Sequence, residues 1–538
     1  MRSKMLTVAI AAGLGLTSVT APVSAQTSHK KVTVSAAELD QMKAEIQALE
    51  QKVQDLESQQ QAQQQAQAET AQAVQTTQSQ IQATQKQVVA AATEHKGDIF
   101  GGSGGVKWTF GGFLAAESIY RSRDTADDVA SKYSSVPFPA TSANAKNSQF
   151  TYSSRQSRLS IKAQGDINDD THVTGYYEMD FLGGAQTANM NESNSFNPRV
   201  RHLFTNVDWD TYGLHALAGQ TWSLLTLNGK GISPDTNVTP LSIDAQYVPG
   251  FTWARQTQLR IVKDWDKMWW LGVSVENPQT AGVAGVKGTG YYSSTTVTIP
   301  AGANYASGNT VSLNDRPDVI VKFAADPGWG HYEVFGLSRE FDSRVSFTGV
   351  ATPTNKTTSG EGFGFGMVLP LVPKTLEFQF SGMSGKGIGR YGTAGLNDVA
   401  VSPNGSLYAL KENMLLGSVV WHPTSAWDVY LSGGREQQDT YLTTGANGKP
   451  YGYGSAILGY INTECSIYGA ASDCSGQTRQ IGQETLGFWW SFYQGKFGKV
   501  RFGAQYSHTT RQLYTDSFGN APKASDNMFF TSIRYYPF

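Results

Sequence analysis

The residues best suited to chemistry in this chain are bases set two or four apart where apolar and polar residues alternate: Arg158 with Lys162, and Arg199 with Arg201. On a strand that spacing puts both members on one face. A row of guanidinium and ammonium groups can desolvate an anion and hand it on through successive charge-assisted hydrogen bonds. Arg260, Lys322 and Arg501 stand in the same phase of later segments, opposed by Glu178, Asp180, Glu276, Glu377 and Glu436. A second reading therefore stands beside the relay, in which the bases pair with Glu178 and Asp180 on neighbouring strands and stiffen a wall. The two are compatible. Nothing comparable points to catalysis: the eight His are scattered singly, and no HExxH, GxSxG, Walker or Rossmann pattern is present. Gly362-Phe-Gly-Phe-Gly366 lies inside an alternating segment, and His331 or His508 would need a Ser or Thr and a carboxylate at a barrel rim to act in hydrolysis. No enzymatic activity, metal or cofactor is expected.

Positioning such a row requires particular elements, and composition narrows them. With 56 Gly, 24 Tyr, 25 Phe, 12 Trp and only 16% charged residues in 538, the chain is too aromatic and too weakly charged for disorder. Its net charge of -2 gives no nucleic-acid footprint. Residues 1–25 open with Arg2 and Lys4, continue through a short apolar stretch and end in Pro22-Val-Ser-Ala25, the pattern of a secretory signal peptide. Export makes an oxidising compartment available, so Cys465 and Cys474 are expected to form a local disulfide. Zinc binding by two Cys with no nearby His is disfavoured.

Residues 26–96 read as a helical segment. From Ala36 to His95 there is no Gly or Pro, and Leu39, Met42, Ile46, Leu49, Val53 and Leu56 step by alternating threes and fours, the seam of a coiled coil. The phase continues through a wet middle at Gln60, Gln63, Gln67 and Thr70 to Val74, Ile81 and Val88. A disordered Gln-rich tract between two short helices is the alternative. Residues 97–105, ending Gly101-Gly-Ser-Gly-Gly105, read as a hinge.

From residue 106 to 538 the texture changes to period two. Sixteen alternating segments lie near 106–121, 155–167, 171–183, 199–208, 213–223, 254–264, 268–276, 317–326, 330–342, 361–370, 374–385, 410–422, 426–437, 480–494, 497–511 and 526–538. Short turns follow the even segments and long Gly/Ser/Thr/Asn-rich loops follow the odd ones. This predicts an all-β fold: a 16-stranded antiparallel transmembrane β-barrel of the bacterial outer membrane, with turns in the periplasm, loops outside, and a lipid-facing surface. Aromatics near segment ends (Trp269, Trp270, Trp421, Trp427, Phe488, Trp490, Phe492) suit interfacial girdles. The chain closes Ile533-Arg-Tyr-Tyr-Pro-Phe538, where Arg534 breaks the apolar phase; either a bulge shifts the phase there or Arg534 faces a protein neighbour instead of lipid. Since a base facing lipid at mid-membrane costs about 2–4 kcal/mol, the strand charges are expected to face the lumen.

Ser157-Arg-Leu-Ser-Ile-Lys-Ala-Gln-Gly-Asp166, Gly175-Tyr-Tyr-Glu-Met-Asp-Phe181, Arg199-Val-Arg-His-Leu-Phe204 and Ala218-Gly-Gln-Thr-Trp-Ser223 resemble the DcaP-like porins of Gram-negative outer membranes. The order of signal peptide, periplasmic coiled coil and barrel resembles them too. The resemblance implies a homotrimer that passes small anionic solutes such as dicarboxylates, with long loops setting the solute. It also implies that the loop from Leu224 to Phe251, with Lys230, Asp235 and Asp244, folds inward as the constriction; an ordinary surface loop is the open alternative. The coiled coil would serve either trimer assembly or a tether toward peptidoglycan. A different class of function, a structural or adhesive anchor with a plugged barrel, fits the same layout.

Overall fold

The computed structural model describes Gln51 and residues 97–101, 105–183, 197–290, 295–298, 314–347 and 352–538. The chain divides into Met1–Ala90 and Ala91–Phe538. In the first unit only Gln51 is described, in helical backbone and exposed. The signal peptide and the rest of the coiled-coil segment lie outside the described residues.

In the second unit, alternation produces sixteen antiparallel barrel strands. They are β1 (Lys107–Arg121), β2 (Gln149–Ser153 and Arg158–Asn168), β3 (Thr171–Asp180), β4 (Arg199–Trp209), β5 (Leu214–Trp222), β6 (Arg255–Trp265), β7 (Trp269–Glu276) and β8 (Asp318–Ala325). The others are β9 (His331–Phe347), β10 (Thr354–Val372), β11 (Leu376–Lys386), β12 (Lys411–Thr424), β13 (Trp427–Gln438), β14 (Thr478–Gly495), β15 (Gly498–Leu513) and β16 (Lys523–Tyr536). Each strand pairs with the next, and β1 pairs with β16 from Leu114↔Tyr535 to Arg121↔Met528, closing the sheet on itself. Closure joins the first and last strands along that ladder, which removes the free edges a bilayer would not tolerate.

The surfaces are inverted relative to a water-soluble core. On β6, Leu259 and Ile261 are 60% and 59% exposed on the outside, whereas Gln258 and Arg260 are each 3% exposed on the inside. Val273, Val321, Phe365, Leu415, Leu431 and Leu486 continue the apolar exterior, and Ser418, Ser432, Gln483, Thr485 and Ser507 the polar interior. Among the described residues no helix is long and apolar enough to cross a membrane.

Several details depart from the expectations. Gly97–Gly101, the first part of the expected hinge, is a short strand against β1 (Gly97↔Phe110, Asp98↔Thr109), and residues 102–104 lie outside the described residues. The β16 ladder stops at Leu114, so the edge of β1 below it is open, and the glycine backbone fills those hydrogen bonds. The fifth long loop is largely a hairpin: β9 and β10 pair from His331↔Val368 as far as Val345↔Thr354, because Val345, Thr354, Thr357 and Thr358 prolong strand-forming sequence. Trp270 is buried inside against His215, with ring centroids 5.7 Å apart, and joins no girdle. Of the two expectations for Arg534, the protein neighbour holds and the bulge is absent: it faces inward and its Nη2 donates to Glu117 Oε1 at 2.9 Å. Cys465 and Cys474 are joined by a disulfide with Cα atoms 4.7 Å apart.

Candidate functional site

What makes the interior a site is the path of the third loop, residues 223–254. Wall carboxylates draw its amides across the barrel. Leu224 N–H donates to Glu276 at the end of β7 (2.8 Å), Asn228 N–H to Glu333 on β9 (3.1 Å), Gly231 N–H to Asp326 after β8 (2.8 Å) and Gly250 N–H to Glu436 on β13 (2.7 Å). The amide of Ile243 donates to Gln505 on β15, and the Trp489 indole on β14 donates to Leu241 O at 2.8 Å. A loop fixed to β7–β9 and to β13–β15 lies inside the barrel. Gly250, at φ +89°, lies so close to Leu415 O that a Cβ there would collide with backbone. Two further loops meet it inside: Ala245 N–H donates to Val129 O (2.9 Å) in the loop 122–148, and Trp253 N–H to Tyr391 O (2.8 Å) in the loop 387–410.

Between this loop and the wall of β2 to β5 lies a cavity of about 330 Å³, into which Arg158, Lys162, Glu178, Arg201, Asp235 and Tyr247 project with His202 and Trp222. Strand phase aims Arg158 and Lys162 inward together, as the spacing of four predicts. Their situations differ. Lys162 Nζ is bound to Asp235 Oδ2 at 2.6 Å, so wall and loop are tied across the opening. Arg201 is clasped by Glu178 and, at 3.0 Å, by Asp180; Arg199 also binds Asp180, at 2.7 Å. Those two bases are therefore wall struts that join β4 to β3 rather than free rungs. Arg158 lies over the Phe113 ring at 5.3 Å, its Nε lacks a hydrogen-bond partner, and among the described residues no carboxylate reaches ion-pair distance.

No family model matches the chain, and no curated protein does. Among solved structures it is similar to the outer membrane channel DcaP of Acinetobacter baumannii, with a TM-score of 0.55 at 16% identity, over 81% of this chain and 99% of that one. The fold is that of an outer-membrane porin. Weaker similarity extends to the anion-selective porin from Comamonas acidovorans (TM-score 0.41, 9% identity, 80% of this chain and 99% of that one). It extends also to OmpF of Salmonella typhi in complex with daunomycin (TM-score 0.42, 10% identity, 82% and 99%).

The remaining sequence-selected residues sit elsewhere in this porin fold. Lys322 is fully buried beneath the inward loop, its Nζ donating to Thr226 O and to Glu333 at 2.8 Å each, and meets no solute space. Arg260 lines a second cavity of about 250 Å³ nearer the short turns, with His215 and Lys267, and donates to Gln258 Oε1. Arg501 pairs with Asp428 near the sixth short turn. Asp244 is not at the opening: it is fully buried and binds Ser131 and, at 3.4 Å, Tyr133, clamping two loops. Burial pushes its carboxyl above the ordinary range, against the pull of Arg121 and the hydrogen bonds from Ser131 and Gln246. Lys230 is exposed beside Gly231, which is held at Asp326 by the short turns, so it too lies away from the opening.

Two features escaped the sequence. Arg255, with Nε and Nη1 unsatisfied, lies over Trp222 at 4.9 Å and Trp253 at 5.7 Å. It opens β6 with the opposite parity to Arg260, so alternation alone turns it away from the lumen. The His are also less scattered than they read. His172, His215, His331 and His422 all stand by short turns, each within 2.8 Å of an Asp.

Proposed function

We propose that this protein is a passive outer-membrane diffusion channel for small hydrophilic solutes with a bias toward anions, dicarboxylate-like ones by its resemblance to DcaP-like porins. The observation that carries this reading is the cavity where Arg158, with no carboxylate at ion-pair distance among the described residues, shares the inner face of β2 with Lys162, which is tied to Asp235 of the inward loop. An anion entering there exchanges water for guanidinium N–H groups already aimed inward, with no energy source required. Long loops are read as extracellular, short turns as periplasmic, and the assembly as a homotrimer, with residues 26–96 serving assembly or a peptidoglycan tether.

A planar bilayer under a salt gradient tests it. The mature protein is expected to give conductance steps grouped in threes and an anion-side reversal potential, and Arg158→Ala to move that potential toward cations. A conducting channel with the same reversal potential after Arg158→Ala would remove the anion site. The second reading, a plugged anchor, is favoured by the four loops that enter the interior or pack over it, at Tyr133, Tyr247, Tyr391 and Cys465, all buried. A silent bilayer from correctly folded protein would select it.

A further inference from the structure

His331 opens β9 beneath the inward loop and is buried. Its Nδ1 lies 2.8 Å from Asp326 Oδ1 in the turn after β8, and its Nε2 lies 3.2 Å from Glu333 Oε2, further along the same inner face of β9. Both carboxylates have a second task. Asp326 Oδ2 accepts the Gly231 amide at 2.8 Å, and Glu333 Oε2, the oxygen that faces the ring, accepts the Asn228 amide at 3.1 Å. One imidazole thus bridges the two acids that hold residues 228 and 231 of the loop. Lys322, donating to Glu333 Oε1 and to Thr226 O at 2.8 Å each, completes the anchor.

A neutral imidazole has a single N–H and offers a lone pair at its other nitrogen. With a carboxylate oxygen at each nitrogen, the ring donates to both acids only as the imidazolium. The anchor is then balanced, two carboxylates against Lys322 and His331. The facing position on β10 is Val368, which supplies no charge. On the other side of the loop, the Trp270 ring that packs on Gly231 stacks on His215, itself held between Asp208 and Asp264. Removing the proton from His331 sets a lone pair against one carboxylate and leaves a surplus negative charge in a buried cluster, where a mispaired group is costly. The acid so opposed must turn toward water, and either acid that turns takes a loop amide with it. What the anchor holds in place is the turn 229–236, where Pro234 lines both the cavity beside Arg158 and the cavity beside Arg260, and Asp235 binds Lys162.

We propose that His331 is a positioning residue for the solute path, a proton-dependent latch on the inward loop. Its charged form clamps the loop at residues 228 and 231; loss of the proton releases the turn 229–236 from the wall and widens the passage between the two cavities. The effect on conductance rests on the diffusion-channel reading, whereas the movement of the loop does not.

The test follows the loop and the current separately. The two cysteines are joined to each other, so Lys230→Cys, exposed between the two anchored amides, carries a nitroxide on the single free thiol. Electron paramagnetic resonance of the full assembly in lipid vesicles, from about pH 5 to about pH 9, is expected to show an immobilised label at the acid end and a mobile one at the alkaline end. Single-channel conductance of the unlabelled protein should rise over the same interval. His331→Gln, which does not titrate, is expected to lose the step and leave the label mobile throughout. Adding Asp326→Asn should immobilise the label again at every pH, because two amides satisfy each other and Gly231 without a proton. Should His331→Gln alone not fold, the double variant decides, since a step that persists in it does not come from residue 331. A wild-type label equally mobile across the range would overturn the latch. So would a step that survives His331→Gln, which assigns the titration to Lys322, or one that His215→Gln abolishes, which assigns it to the other ring. A step in the label with unchanged conductance would overturn the role in the passage, and a silent bilayer with the step present would sink the channel reading alone.

Discussion

Arg158, Arg201 and Lys322 lie in comparable strand phase, yet each does something different, because a base inside a barrel is defined by the carboxylate it meets. Arg201 meets two, Lys322 meets Glu333 in full burial, and Arg158 has none at ion-pair distance among the described residues. The face each occupies is readable from alternation; the partner is not, since it depends on register and on a loop arriving from elsewhere. Lys322 offers a direct measure. Lys322→Met leaves Glu333 buried without its cation and should destabilise the barrel by about 3–5 kcal/mol, whereas adding Glu333→Gln should recover much of that. Urea unfolding followed by gel mobility reads both. A single variant as stable as wild type would mean that the Lys322–Glu333 pair adds nothing to the fold. At the lip, Asp235→Asn loosens the loop from Lys162 and frees that ammonium, so single-channel conductance and anion preference should both rise. A fall in either would place the pair outside the solute route.

The element that crosses the barrel interior is the third loop, and its path is legible only in half. Its length, and its place after an odd strand, stand in the sequence. Its inward course does not, because the bonds that set it join wall carboxylates to anonymous backbone amides at Leu224, Asn228, Gly231 and Gly250. Glu276 and Glu436 were recognisable as lumenal charges; that they hold a loop rather than face a solute emerges only in three dimensions. Removing residues 229–236, the turn that carries Asp235, should raise conductance and weaken selectivity while leaving the barrel folded, because the wall ladders do not pass through it. Unaltered conductance would put the narrowest point elsewhere. Asp244 adds a pH test of the clamp between the first and third loops. Burial raises its carboxyl above the ordinary 3.8, so the folded state binds its proton more readily than the unfolded chain. Stability from this group is therefore greatest at low pH and declines as pH rises through the window opening near 3.8. Relative to Asp244→Asn, the wild-type Tm should fall as pH climbs from about 4 toward neutrality and then level off. A pH-independent difference would show that Asp244 does not titrate in that range.

For the molecule as a whole, the decisive property is the inversion of its surfaces, and this was the most legible feature because period two survives every local irregularity. β2 breaks between Ser153 and Arg158, yet both pieces keep pairing with β1. Arg534, which disturbs the apolar rhythm of the last strand when read alone, resolves once closure brings β16 against β1: Glu117 lies inside to receive it, and Ile533 and Tyr535 keep the outside apolar. The same logic predicts where the molecule tolerates charge. Val273 on β7 stands between Ile261 and Val321 on its two neighbours, all three exposed and apolar, so the row sits in the hydrocarbon belt. Val273→Arg should therefore cost about 2–4 kcal/mol in a bilayer if the row lies near the midplane, and less toward an interface. Val273→Leu, equally apolar, should change little. Denaturant unfolding of the two variants in phospholipid vesicles compares them, and repeating the measurement along β7 at Leu271 and Val275 maps the depth of the belt residue by residue. An arginine tolerated at all three positions would mean that this face meets water or a protein neighbour, and the exposed apolar exterior would then have to be explained as an interface between barrels instead of a contact with lipid.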